Sequence, residues 1–190
     1  MALPRAFAQR GLLIGLLAAA PCLAMAWDLQ GTKTITANTR DNQRIAIGTV
    51  RFEPQGADAA SFVLTLNPAR FTDHFLSMKE FRCLDGQGEV VCHVPYPYAQ
   101  PRTVTAGDMA WLEHSLLFLY KAPKDFGAKL WNGLYFRLER TEKGWRGIPQ
   151  AIDLNHISAP PANPGLPPYR DEQRDDVAQG AHWIDSLSIE

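Results

Sequence analysis

Cys83-Leu84-Asp85-Gly86-Gln87-Gly88-Glu89-Val90-Val91-Cys92 encodes a β-hairpin in two independent ways. Asp85-Gly86, with Gly88 close behind, is turn chemistry, because glycine takes positive φ without steric cost. The flanking cysteines supply the second signal. Pairing Cys83 with Cys92 sets Leu84 opposite Val91 and Asp85 opposite Val90, so a bridge between them staples two antiparallel strands. The spacing is too wide for the CxxC arrangement that tunes a redox thiol or cups a metal. A structural disulfide and an antiparallel sheet are therefore expected.

The chain before the hairpin reads as more strands. Thr32 to Ala37 is rich in β-branched residues. Arg44 to Phe52 starts with Ile45 and Ile47 on one face and continues with Val50 and Phe52 on the other parity. Gly48 lies at the switch, which predicts a bulge. Phe62, Leu64 and Leu66 alternate with Val63 and Thr65, the pattern of a half-buried strand. Asn67-Pro68 then breaks the ladder and matches a helix N-cap followed by proline. A short helical turn through Phe71 and Phe75 is expected there.

Beyond the hairpin, one helix is expected from Thr105 to Pro123. Thr105 would cap it, and Met109, Leu112, Leu116 and Leu119 recur at helical spacing. Trp111, Phe118 and Tyr120 widen its apolar surface, so it must be buried on most sides. A second hairpin follows, with Leu134, Phe136 and Leu138 on one face, a turn at Glu142-Lys143-Gly144, and a return from Trp145 to Leu154. Residues 159–182 are proline-rich and then charged, which reads as extended surface chain. Trp183, Leu187 and Ile189 share strand parity, so residues 183–190 read as a last strand docking on the body.

The N-terminus reads as an export signal. Arg5 and Arg10 precede the apolar run Gly11 to Leu23, and Ala24-Met25-Ala26 is an A-x-A cleavage site. Cleavage after Ala26 would give a periplasmic or secreted protein of 164 residues from the 190 of the full chain, enough for one domain with its own core. Pro21 before Cys22 argues against lipid attachment. Loss of Arg5 and Arg10 takes the basic count from 19 to 17 against 20 acidic residues. No basic excess suggests nucleic acid, and no later stretch is long enough to cross a membrane as a helix. With Cys22 removed, Cys83 and Cys92 form an even pair suited to an oxidising compartment.

Three constellations are candidates for function. His93-Val94-Pro95-Tyr96-Pro97-Tyr98 cannot be a central strand, because two prolines remove two donors. It is an edge or exit from the sheet, and rigid chain bearing Tyr96 and Tyr98 is suited to recognition. Trp131-Asn132-Gly133-Leu134-Tyr135 places Asn132 on the parity of Leu134, where a buried amide would need a partner or ligand. Asp153-Leu154-Asn155-His156 offers an Asp–His pair at a strand end, the kind of pair used in acid–base catalysis. The five histidines form no HxH, HxxxH or HExxH motif, and no nucleophile elbow or phosphate loop is present. No metal and no cofactor is assigned.

Trp27-Asp28-Leu29-Gln30-Gly31 resembles the tryptophan-bearing start of calycin-type barrels such as lipocalins, without their G-x-W order; the resemblance implies a barrel-like fold. Taken together, the expected fold is mainly β with one packed helix: an antiparallel β-sandwich or half-open barrel in a single domain, residues 27–158, followed by the surface segment and the docked strand. The leading functional expectation is a non-enzymatic envelope protein. It would bind an envelope protein partner or a small apolar ligand through His93, Tyr96, Tyr98, Trp131, Asn132 and Tyr135. The alternatives are an envelope hydrolase using Asp153, His156 and His93, and a periplasmic metal binder with ligands assembled across strands.

Overall fold

The computed structural model describes residues 29–77 and 79–190. The expected leader, its cleavage site, and Trp27 and Asp28 lie outside the described residues. The elements are β1 (Gly31–Thr39), β2 (Arg44–Gln55), β3 (Ala59–Leu66), β4 (Thr72–Leu76), β5 (Lys79–Gly86), β6 (Glu89–Val94), β7 (Thr103–Thr105), α1 (Ala110–His114), β8 (Leu117–Lys121), β9 (Gly133–Thr141), β10 (Gly144–Ile152), β11 (Asp175–Asp176) and β12 (Ile184–Ile189). All pair antiparallel in one sheet, ordered β4-β5-β6-β8-β9-β10-β12-β1-β2-β3-β7, with β11 on the flank of β10. The path ends at β4 and β7, so the sheet is open. It is one curled sheet rather than two stacked ones.

The stapled hairpin has the expected register. Cys83 pairs Cys92, Leu84 pairs Val91 and Asp85 pairs Val90, and the two sulfurs are bonded. The bulge also falls where glycine allowed it. Ile35 pairs Gly48 while Thr36 pairs Ala46, leaving Ile47 as the extra residue. A Cβ on Gly48 would stand 2.5 Å from the carbonyl oxygen of Thr65, so only glycine lets β2 and β3 approach this closely.

Two expectations are corrected. The helix is much shorter than Thr105 to Pro123. Thr105 belongs to β7, α1 covers only Ala110–His114, and Leu117–Lys121 is strand β8. The cause is burial on both sides. Phe118 faces the inside of the curled sheet, where its ring meets Phe136 at 5.8 Å. Leu119 faces outward and is equally buried. A strand covered on both faces loses its polar alternation and then looks like a buried helix. The second correction concerns Phe71 and Phe75. The helical turn stops after Pro68–Arg70, where Asn67 Oδ1 accepts the Ala69 N–H at 3.2 Å. Phe75 instead lies exposed on edge strand β4.

The interior is filled by Phe52, Phe118, Phe136 and Trp145, with Phe52 and Trp145 rings 5.8 Å apart across the curl. One end is closed around Trp183. Its ring sits on Gly86, its Nε1 donates to Asp41 at 3.0 Å, and its backbone N–H donates to Glu89 at 2.7 Å. The other end is bridged by the chain between β6 and α1. That chain donates β7 to the edge of β3 and offers the Arg102 carbonyl to Phe62 N–H at 2.9 Å.

Candidate functional site

Residues 153–176 and α1 form a partial outer layer over β8, β9 and β10. Tyr169 is buried and anchors this layer. Its hydroxyl donates to the Asp153 carbonyl at 3.0 Å, and its N–H donates to His114 Nε2 at 3.0 Å. The His114 Nδ1 then carries the hydrogen and donates to the Ala110 carbonyl at 2.7 Å. Burial pushes this imidazole down to about 4, so it is neutral at physiological pH.

Glu113, from the same helix, is buried beside it. The Tyr135 hydroxyl donates to one carboxylate oxygen and the Leu138 N–H donates to the other at 2.6 Å. The reason is topological. β8 pairs β9 only through Phe118↔Leu134 and Leu119↔Gly133, so Leu138 N–H has no strand neighbour there. The Glu113 side chain takes that place. Burial raises the Glu113 carboxyl above its usual range, partly offset by these two bonds, and burial likewise raises the Tyr135 phenol. The Arg174 guanidinium lies over the Tyr135 ring at 4.7 Å.

Where the outer layer ends, the sheet's outer face is left open as a groove of about 450 Å³. Its lining is mostly apolar, with Phe81, Pro95, Pro97, Leu119, Leu154 and Ile157 and with Leu130 at the rim, and the charged residues Lys79, Glu80 and Arg82 of β5 border it. His93 lies at one side of the groove. Its Nε2 donates to the Ser115 carbonyl at 3.0 Å, and burial holds its pKa below the ordinary value.

The structure distributes the expected site residues as follows. In the His93–Tyr98 run, the parity of the prolines and that of the tyrosines separate. Pro95 and Pro97 line the groove. Tyr96 is buried against Trp111 and His114, and Tyr98 is half-buried and donates to the Ile157 carbonyl at 3.2 Å. Trp131 is 64% exposed beside the groove's rim residue Leu130. Asn132 is half-buried and precedes β9, so strand parity does not govern it; its carbonyl accepts Tyr120 N–H at 3.0 Å. Gly133 is closely approached by its own chain, Ile152 and Leu154, rather than being open to a ligand.

Asp153 caps the turn Leu154–Ile157, accepting the Asn155 N–H at 2.9 Å. His156 is exposed and stacks on Tyr169 at 6.1 Å. Neither hydrogen-bonds His93. Among the described residues, no group of three or more His, Cys, Asp or Glu side chains is arranged to hold a metal ion. Nor is any described helix long and apolar enough to cross a membrane. Phe81 and Leu119 were missed as site residues. The disulfide register puts Phe81 on the face of Cys83 and Cys92, a signal available in the sequence; Leu119 joins that face only through the pairing of β6 with β8.

No protein-family model, curated protein or solved structure matches this chain.

Proposed function

We propose that this chain is an exported, non-enzymatic binding protein that holds a small apolar ligand in the groove over β5, β6 and β8. One observation carries the reading. Beside the doubly covered strands β8 and β9, Phe81, Pro95, Pro97 and Leu130 frame a concave apolar surface of about 450 Å³ whose lining includes the buried Leu119. Ligand pockets have this size and lining, with few polar groups to fix orientation. His93 and Ser158 are polar groups placed at the groove. The bonded cysteine pair fits an oxidising compartment, in keeping with removal of the leader after Ala26.

The test uses protein purified from an envelope fraction, whose intact mass reports the cleavage site. N-phenyl-1-naphthylamine, an uncharged fluorescent apolar probe, is expected to bind saturably with one site per chain. Phe81→Asp and Leu130→Asp each place a charge in the groove at positions that are not fully buried, and each is expected to abolish the signal. Absence of saturable binding, or binding unaffected by both substitutions, would sink the proposal.

A further inference from the structure

A second cleft, of about 500 Å³, opens on the other side of the outer layer, between α1, β9 and the chain 167–174. Four arginines line it: Arg137, Arg140, Arg170 and Arg174. Acidic groups line it too, and three of the four are committed. Glu113 is bonded to Tyr135 and Leu138. Asp108 accepts the Ala110 N–H at 2.9 Å. Asp171 pairs with Arg174. Glu172 lies exposed at the rim. Among the cations, Arg137 pairs with Glu139 at 2.7 Å, whereas Arg140 and Arg170 form no ion pair with any described residue.

Arg174 is the decisive residue. Its side chain is only 9% exposed, pinned over Tyr135, yet its buried Nε has no hydrogen-bond partner. A buried donor on a charged group is costly to leave unmade. The guanidinium is also a rigid fork suited to a planar or tetrahedral oxyanion.

We infer that this cleft binds the carboxylate or phosphate group of a small anionic ligand, with the Arg174 Nε as the buried donor and Arg140 and Arg170 as the flanking cations. Arg140 and Arg170 meet the oxyanion from the exposed side, against the Arg174 guanidinium that lines the same cleft. This site is independent of the apolar groove and does not rest on it.

The experiment titrates the mature chain with inorganic phosphate and, separately, with succinate. Thermal shift and calorimetry are read at fixed pH and fixed ionic strength, because screening alone changes with salt. A saturable single-site response to either anion is expected, and the preferred anion identifies the ligand's acid group. Arg140→Gln/Arg170→Gln alters only exposed side chains and should weaken binding by about tenfold or more. Arg174→Lys keeps the charge, removes Nε and should weaken it similarly. Arg44→Gln/Arg51→Gln, on β2 outside the cleft, should leave it unchanged. No saturable response to either anion, or a double variant at positions 140 and 170 that binds like the parent, would overturn the assignment.

Discussion

At the scale of single residues, His114 shows how burial fixes a chemical state. One ring nitrogen accepts from Tyr169 and the other donates to Ala110, so the neutral tautomer is fully satisfied and the cation is not. In the unfolded chain this group protonates near 6.5, and in the folded chain only near 4. Between those values the unfolded state holds more protons, so stability falls as pH drops through this window and is fully present above it. The difference is worth about 3 kcal/mol. Glu113 acts in the opposite sense, because its raised carboxyl pKa favours the fold as it protonates. The His114 contribution is therefore isolated by comparison. Denaturation of the parent and His114→Gln at pH 7 and pH 4 should show their stability gap narrowing by about 3 kcal/mol at the lower pH. A gap that stays constant would mean the imidazole is not held neutral. None of this was legible in the sequence, where His114 was merely one polar residue on an apolar helix.

At the scale of elements, the hairpin β5–β6 was legible to the register because turn chemistry and the cysteine pair agree. The expected outcome of Cys83→Ala/Cys92→Ala is a loss of about 2–3 kcal/mol by chemical denaturation, with the fold kept. β6 remains held by five paired positions to β8, which is why the hairpin survives. Because both cysteines are buried, alkylation is read in denaturant without reductant, where neither should be labelled; two labelled thiols would refute the bridge. β8 was not legible as a strand. Leu116-Leu117-Phe118-Leu119-Tyr120 carries no alternation, since both of its faces are covered. Phe118 packs on Phe136 on one face, and Leu119 lies with Leu154 and Ile157 on the other, all from segments later in the chain. Pro149 makes the same point from the other side. It sits in β10 between the positions paired to β12 and those paired to β11, so its missing N–H breaks no ladder bond on that flank.

At the scale of the whole molecule, the last strand joins the two halves of the sheet. β12 lies between β10 and β1, so β1, β2, β3 and β7 reach the rest of the sheet's hydrogen-bonded ladder through the chain's final residues. Trp183, just before it, grips the tip of the first hairpin and the turn after β1. A chain ending at Gly180 loses Trp183, Ile184, Leu187 and Ile189, all buried. It also leaves two facing rows of unpaired backbone in mid-sheet. Each such side chain contributes roughly 1.5–3 kcal/mol, which together rivals the whole stability of a domain. The truncated chain should therefore lack a cooperative unfolding transition by circular dichroism. A sharp transition near the parent's midpoint would show that β12 is dispensable.

Local stretches of chain carry the local facts: the stapled hairpin, the bulge at Gly48, the second hairpin, the Asn67 cap and the predominance of antiparallel strands. Each rests on neighbours within a dozen residues, where backbone sterics and turn chemistry decide the outcome. Tertiary structure alone decided the rest. It made Leu117–Lys121 a strand by covering both faces, turned Tyr96 inward and Pro95 and Pro97 toward a groove, and left Asp153 and His156 apart from His93. It also drew Arg140 and Arg174 to one cleft from segments 34 positions apart. Burial and cleft formation are properties of surfaces that meet only after folding, and no local pattern in the chain encodes which surfaces will meet.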